Sequence, residues 1–203
     1  MHPKTPGKTA SGEAAVSNVT SEALNPHEER DSSLERQGGL SAVYKDIANR
    51  VEMIVERRPA WPCAKGCSGC CRALAEPLRL PTLEWHRLFE AMKALPKEQR
   101  LEVEERLRAL VRQDERPYTC AFLDLESGAC RVYEARPSAC RAYGFYVDRD
   151  GGRYCGLIET FLEENGDQDI VWGNHQALDR EMTSQFGAFR TLREIWPEYE
   201  ARD

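Results

Sequence analysis

Cys63-Ala64-Lys65-Gly66-Cys67-Ser68-Gly69-Cys70-Cys71 is the stretch on which the reading of the whole chain turns. Gly66 and Gly69 let the backbone fold tightly around a ligand, so the stretch reads as a loop. Four further cysteines follow after a gap, at Cys120, Cys130, Cys140 and Cys155. The first thirty residues, Met1 to Arg30, hold no continuous apolar stretch, so no secretory signal is expected and the cytoplasm is the expected compartment. Disulfides seldom persist there, and clustered thiols more often bind metal. A disulfide scaffold is the competing reading.

The chemistry of sulfur bounds the number of sites. A closed structural zinc site takes about four thiolates, and an iron–sulfur cluster takes about four as well. Eight cysteines therefore imply two four-ligand centres or one polynuclear centre with bridging sulfurs. Adjacent residues usually point their side chains in different directions, so Cys70 and Cys71 are expected to serve two centres, or two atoms of one cluster. Arg72, Arg131 and Arg141 each directly follow a cysteine, and Arg136 and Arg153 sit close to others. Positive charge favours thiolate over thiol, although arginine is common on any surface. The spacing C-x3-C-x2-C also matches the cluster loop of radical S-adenosylmethionine enzymes. The immediate fourth cysteine and the lack of alternating strand–helix units speak against that match.

Outward from the cysteines, residues 1–38 are rich in Ser, Thr, Glu, Pro and Gly and read as a disordered tail. Leu40, Val43, Tyr44, Ile47, Val51 and Ile54 recur at helical spacing, predicting a helix over 40–58 that Pro59 and Pro62 stop. A helical insert over 82–115 is expected to hold two helices. Thr82 would cap the first, with Trp85, Leu88, Phe89 and Met92 on its buried face. Pro96 would open the second, with Val103, Leu107, Leu110 and Val111 as its stripe. Two short hairpins are expected next. One joins Cys120–Leu123 to Ala129–Tyr133; the other joins Phe145–Val147 to Arg153–Cys155 around Asp150-Gly151-Gly152. Arg136–Cys140 reads as a turn or a single helical turn. Asn174 is a candidate cap for a terminal helix with Leu178, Met182, Phe186, Phe189 and Leu192 on one face. The expected fold is thus a small α+β domain, mostly helical, with two short β-hairpins organised around a cysteine-rich metal centre. Its core domain would span 39–160, and a helical extension over 161–203 would pack on it.

Composition narrows the partners. The chain has 203 residues, 41% of them hydrophobic, and a net charge of -6. The hydrophobic share can build a core, the charge gives no support for nucleic-acid binding, and no apolar run approaches a membrane span.

The full pattern, from Cys63 to Cys71, then Cys120-Ala-Phe-Leu, then Gly128-Ala-Cys130-Arg-Val-Tyr133-Glu-Ala-Arg136-Pro137-Ser-Ala-Cys140-Arg141-Ala-Tyr143, resembles the YkgJ-type cysteine-cluster family over roughly residues 60 to 156. These bacterial proteins are described as zinc- or iron-chelating domains with eight cysteines, and some as iron–sulfur oxidoreductases. The resemblance implies a metal-ligand role for Cys63, Cys67, Cys70, Cys71, Cys120, Cys130, Cys140 and Cys155, with zinc or iron as the cofactor, the iron possible as an iron–sulfur cluster. Ala121 stands where many members are expected to carry proline. One branch resembles flagellin lysine N-methylases, but no glycine-rich strand-to-helix turn for S-adenosylmethionine is visible here.

The expected function is that of a cytosolic metal-binding protein whose centre is structural or metal-handling, with no catalytic residue assigned. The alternatives are an iron–sulfur redox enzyme or a protein-lysine methyltransferase-like enzyme, in which Tyr133, Tyr143, Tyr146, Trp172 and His175 could line a site. Core packing is the plainer role for those aromatics. His86 could be a ligand, but a lone histidine on a helix is more often a surface or core residue. An interaction module, with metal only fixing the fold, is the third reading.

Overall fold

The computed structural model describes residues 26–149, 151–152 and 155–201. In chain order the elements are helix α1 (Pro26–Arg57), α2 (Gly69–Arg72), strand β1 (Arg79–Pro81), α3 (Thr82–Lys93), α4 (Lys97–Arg112), a 3-10 turn (Tyr133–Ala135), α5 (Ser138–Ala142), β2 (Tyr146–Asp148), β3 (Gly151–Gly152), α6 (Gly156–Asn165), β4 (Gly173–Asn174), α7 (His175–Phe186), β5 (Phe189–Thr191) and α8 (Leu192–Glu200). Helices with two small sheets make this an α+β fold. One sheet pairs β1 with β5; the other has the order β3-β2-β4.

The helical stripes do what their spacing predicts. Leu40, Val43, Tyr44, Ile47 and Ile54 of α1 are buried, as are Trp85, Leu88, Phe89 and Met92 of α3 and Val103, Leu107 and Leu110 of α4. The starts of α3 and α4 shift by about a residue for identifiable reasons, and that of α1 by more. Thr82 is the first helical residue of α3 and Pro81 its cap. Pro96 caps α4 from outside, a place where its missing N–H costs nothing. The first helix starts at Pro26 rather than at Leu40; Pro26 occupies the helix start, where proline's fixed φ is pre-organised. The part of the expected tail before Pro26 lies outside the described residues.

Two expectations need correction, and a third holds in its described part. The hairpin Cys120–Leu123/Ala129–Tyr133 is reduced to one bridge, Leu123 to Cys130. Leu123 N–H bonds back to the Cys120 carbonyl and Tyr133–Ala135 winds into the 3-10 turn, so neither flank stays extended. The second hairpin is present as β2 with β3, registered Val147 to Gly152 and Asp148 to Gly151; its expected Arg153 and Tyr154 lie outside the described residues. The terminal helix is two helices. Gly187 at φ 85 ends α7, Phe189 enters β5, and β5 pairs antiparallel with β1 through Arg79–Thr191 and Pro81–Phe189.

Two apolar clusters organise the chain. The first joins α3, α4 and α8 with Tyr118, Phe122 and Val132, and Cys120 and Cys130 pack against it. The second joins α1 and α7 with Trp61, Phe145, Tyr146 and Ile158, and Cys63 and Cys155 pack against it. Helix α5 touches both, through Ala139 on the first and Ala142 on the second. Four cysteines therefore line the two clusters, two on each, and Cys140 rides on the helix that touches both.

Candidate metal centre

Each cysteine is placed by a local device. Trp61 is buried, with ring centroids 5.3 Å from Phe161, 5.7 Å from Trp172 and 6.0 Å from Phe145, and so anchors the chain two residues before Cys63. The Cys63 thiol reaches the Tyr143 carbonyl at 3.7 Å. Gly144 lies alongside at φ +84, where a Cβ would come 3.4 Å from Cys63 Sγ and 2.7 Å from the Ile158 side chain. Glycine is required there by both conformation and space. The loop turns at Gly66 with φ 99 and leaves Cys67 exposed.

Helix α2 carries Cys70 and Cys71 on one turn. Contrary to the expectation that adjacent side chains diverge, their sulfurs lie 3.9 Å apart. Arg72 secures this turn by donating from Nε to Ser68 Oγ at 3.0 Å and from its terminal nitrogen to the Leu125 carbonyl at 3.1 Å. Cys120 N–H donates to the Cys71 carbonyl at 2.8 Å, which binds the two halves of the cysteine pattern to each other. Arg106 of α4 donates to the carbonyls of Leu123 and, at 2.7 Å, Cys120. Asp124 closes the following turn by accepting from Ser127 N–H at 2.7 Å and pairing with Arg131 at 3.1 Å. Cys140 sits in the middle of α5 and Cys155 caps α6.

The electrostatics show which sulfurs face one another. Burial pushes the Cys63 thiol up to about 12, with the charges of Cys70, Cys67 and Cys155 adding to the effect and Arg136 opposing it. A hydrogen bond with Cys120 comes first in raising Cys71 to about 12, and Cys120 and Cys130 add their charges. Cys70 is raised first by its hydrogen bond with Cys71. Burial raises Cys130 and Cys140; Cys140 also feels Cys71, Cys70 and Cys130. Two neighbourhoods emerge: Cys63, Cys67 and Cys155 on one side, and Cys71, Cys120, Cys130 and Cys140 on the other. Cys70 lies between them. Arg136 is the cation felt by Cys63, Cys130 and Cys140 together.

All eight cysteines are free thiols. Among the described residues, no three His, Cys, Asp or Glu side chains meet in an arrangement that could hold a metal ion. The sulfurs are thus assembled as neighbours without forming a closed coordination sphere. As a donor set they fit zinc or iron, both of which accept thiolate.

Of the other candidates, Tyr133 and Tyr143 reach this region. The Arg136 guanidinium lies 3.7 Å and the Lys65 ammonium 4.7 Å from the Tyr133 ring centroid. Burial raises Tyr143, as do the charges of Cys155, Cys70 and Cys63. Tyr146 and Trp172 pack in the second apolar cluster. His175 is buried, its Nδ1 3.2 Å from Asp179. His86 faces a groove with Phe89, Lys93 and Tyr199, whose lining contains no cysteine. The sequence reading missed Glu84, a buried acid on the apolar face of α3. Its signal was visible in the spacing, since Glu84 falls one turn before Leu88 and one after Leu80.

The fold and the site together define a small α+β protein built around a cysteine cluster. Residues 62–169 match the CxxCxxCC family, described as “Putative zinc- or iron-chelating domain”, and the chain belongs to that family. The match runs through α6, beyond the end expected near residue 156. No curated protein and no solved structure gives a significant match. Among the described residues no helix is long and apolar enough to cross a membrane.

Proposed function

We propose that the protein binds zinc or iron through Cys63, Cys67, Cys70, Cys71, Cys120, Cys130, Cys140 and Cys155, in two adjoining four-thiolate sets. Cys63, Cys67, Cys70 and Cys155 form one set, and Cys71, Cys120, Cys130 and Cys140 the other. The observation that carries this reading is the junction at Cys70 and Cys71. Their sulfurs lie 3.9 Å apart, so two centres that take one of them each would lie side by side. The family description supports zinc or iron, and the packing of Cys63 and Cys155 against one apolar cluster and of Cys120 and Cys130 against the other supports the partition. Drawing the sulfurs in around the ion would be part of binding, as metal affinity commonly couples to local folding.

Four-thiolate sites leave no open position for a substrate water, which favours a structural or metal-handling role in the reducing cytoplasm. Elemental analysis after anaerobic purification tests the reading. Wild type is expected to hold metal, and Cys63→Ser/Cys155→Ser and Cys120→Ser/Cys140→Ser are each expected to lose about half of it. Loss of all metal in either variant would mean a single centre. A folded wild type free of metal would defeat the proposal, and brown protein would assign iron–sulfur in place of zinc.

A further inference from the structure

Glu84 interrupts the apolar face of α3 and is only 1% exposed. A buried carboxylate is costly unless its oxygens are satisfied, and three donors satisfy this one. Tyr44 Oη donates to Glu84 Oε1 at 2.9 Å, Ser138 N–H donates to the same oxygen at 2.6 Å, and Ser138 Oγ donates to Oε2 at 3.1 Å. The donors come from α1 and α5, so one carboxylate ties three helices.

Ser138 is the first residue of α5, and the N-cap of that helix is Pro137, which makes no side-chain cap bond. Glu84 therefore satisfies a helix-start N–H from a different helix. The far end of α5 is held by the same network. The Arg141 guanidinium lies 4.4 Å from the Tyr44 ring centroid and donates at 2.6 Å to the carbonyls of Arg136 and Glu134. Cys140 lies between Ser138 and Arg141. A helix of five residues has too few internal hydrogen bonds to fix itself, so its outside partners decide where Cys140 points.

We propose that Glu84 is a positioning residue of the metal centre, holding Cys140 at the seam through Ser138 at the start of α5 and Tyr44 with Arg141 near its end. The inference rests on the reading of Cys140 as a metal ligand. Glu84 itself touches no sulfur-bearing residue in this network; it acts through the helix that carries one.

Two readouts on the full-length protein test it: metal per chain, and the alkylation rate of Cys140 against Cys63 in metal-free protein, read by mass spectrometry. Glu84→Ala is expected to match Cys140→Ser in metal content. Its Cys140 should be alkylated about tenfold faster, the scale of losing a charge-assisted hydrogen bond, with Cys63 unchanged. Glu84→Gln is expected to behave as wild type, because its amide can accept from Ser138 N–H and Tyr44 and donate to Ser138 Oγ. Ser138→Pro removes both Ser138 donors, keeps a residue tolerated at a helix start and leaves α3 filled; it should reproduce Glu84→Ala and serves if that variant does not fold. Wild-type metal content and wild-type Cys140 alkylation in either folded variant would overturn the proposal. A wild type without metal would defeat the metal reading alone, and the alkylation comparison would still decide the role of Glu84.

Discussion

Asp124 shows how a single half-buried residue shapes the loop between Cys120 and Cys130. The Ser127 N–H, then the Ser127 hydroxyl and Arg131, pull its carboxyl down to about 2 from its ordinary 3.8. A lowered folded-state value means that the ionised form is favoured by folding. Its contribution is fully present above pH ~4 and is lost as pH falls through about 2. We expect the difference in melting midpoint between wild type and Asp124→Asn to be constant from neutral pH down to about 4 and to shrink below it. An unchanged difference down to pH ~2 would show that the turn does not depend on this charge.

At the scale of elements, capping and periodicity explain what could be read in advance. Asn174 was a candidate cap, and its side chain accepts from Ala177 N–H at 2.9 Å. Replacing Asn174 by Ala should cost about 1 kcal/mol, measurable by denaturant unfolding, with replacement by Gly costing less. The long stripes of α1, α3 and α4 were legible because their repeat is carried by neighbours in sequence. The strands were not. Arg79–Pro81 pairs with Phe189–Thr191 across the length of the chain, and β2 takes β4 as a parallel partner at Tyr146–Gly173. Pairs of two or three residues leave no period to detect. The same limit hid part of the site. The eight cysteines could be named from their spacing, but the network beside them could not, because Glu84 finds its partners 40 and 54 residues away. The convergence of Cys70 and Cys71 is not legible in the spacing, because the short helix Gly69–Arg72 opens on glycine and reads as a loop.

On the scale of the molecule, two apolar clusters meet at the cysteines. The first is closed by Leu192, Ile195, Trp196 and Tyr199 of α8, and the second by Leu178 and Met182 of α7. Each has its own buried aromatics. Binding of a ligand to the folded state adds stability by mass action, and here it would fall on the join. With metal bound we expect one cooperative melting transition by calorimetry; with a strong chelator present, two. A single transition in both conditions would mean that the clusters are one cooperative unit without metal.

The position of Cys67 carries a different consequence. It is the exposed cysteine of the eight, on a turn bent by Gly66, while the other sulfurs are partly shielded. Exchange of an ion with its surroundings begins where an incoming donor can replace one bond at a time. With an ion in the proposed centre, Cys67 would be the sulfur from which such a hand-over starts, and this loop would be the way in.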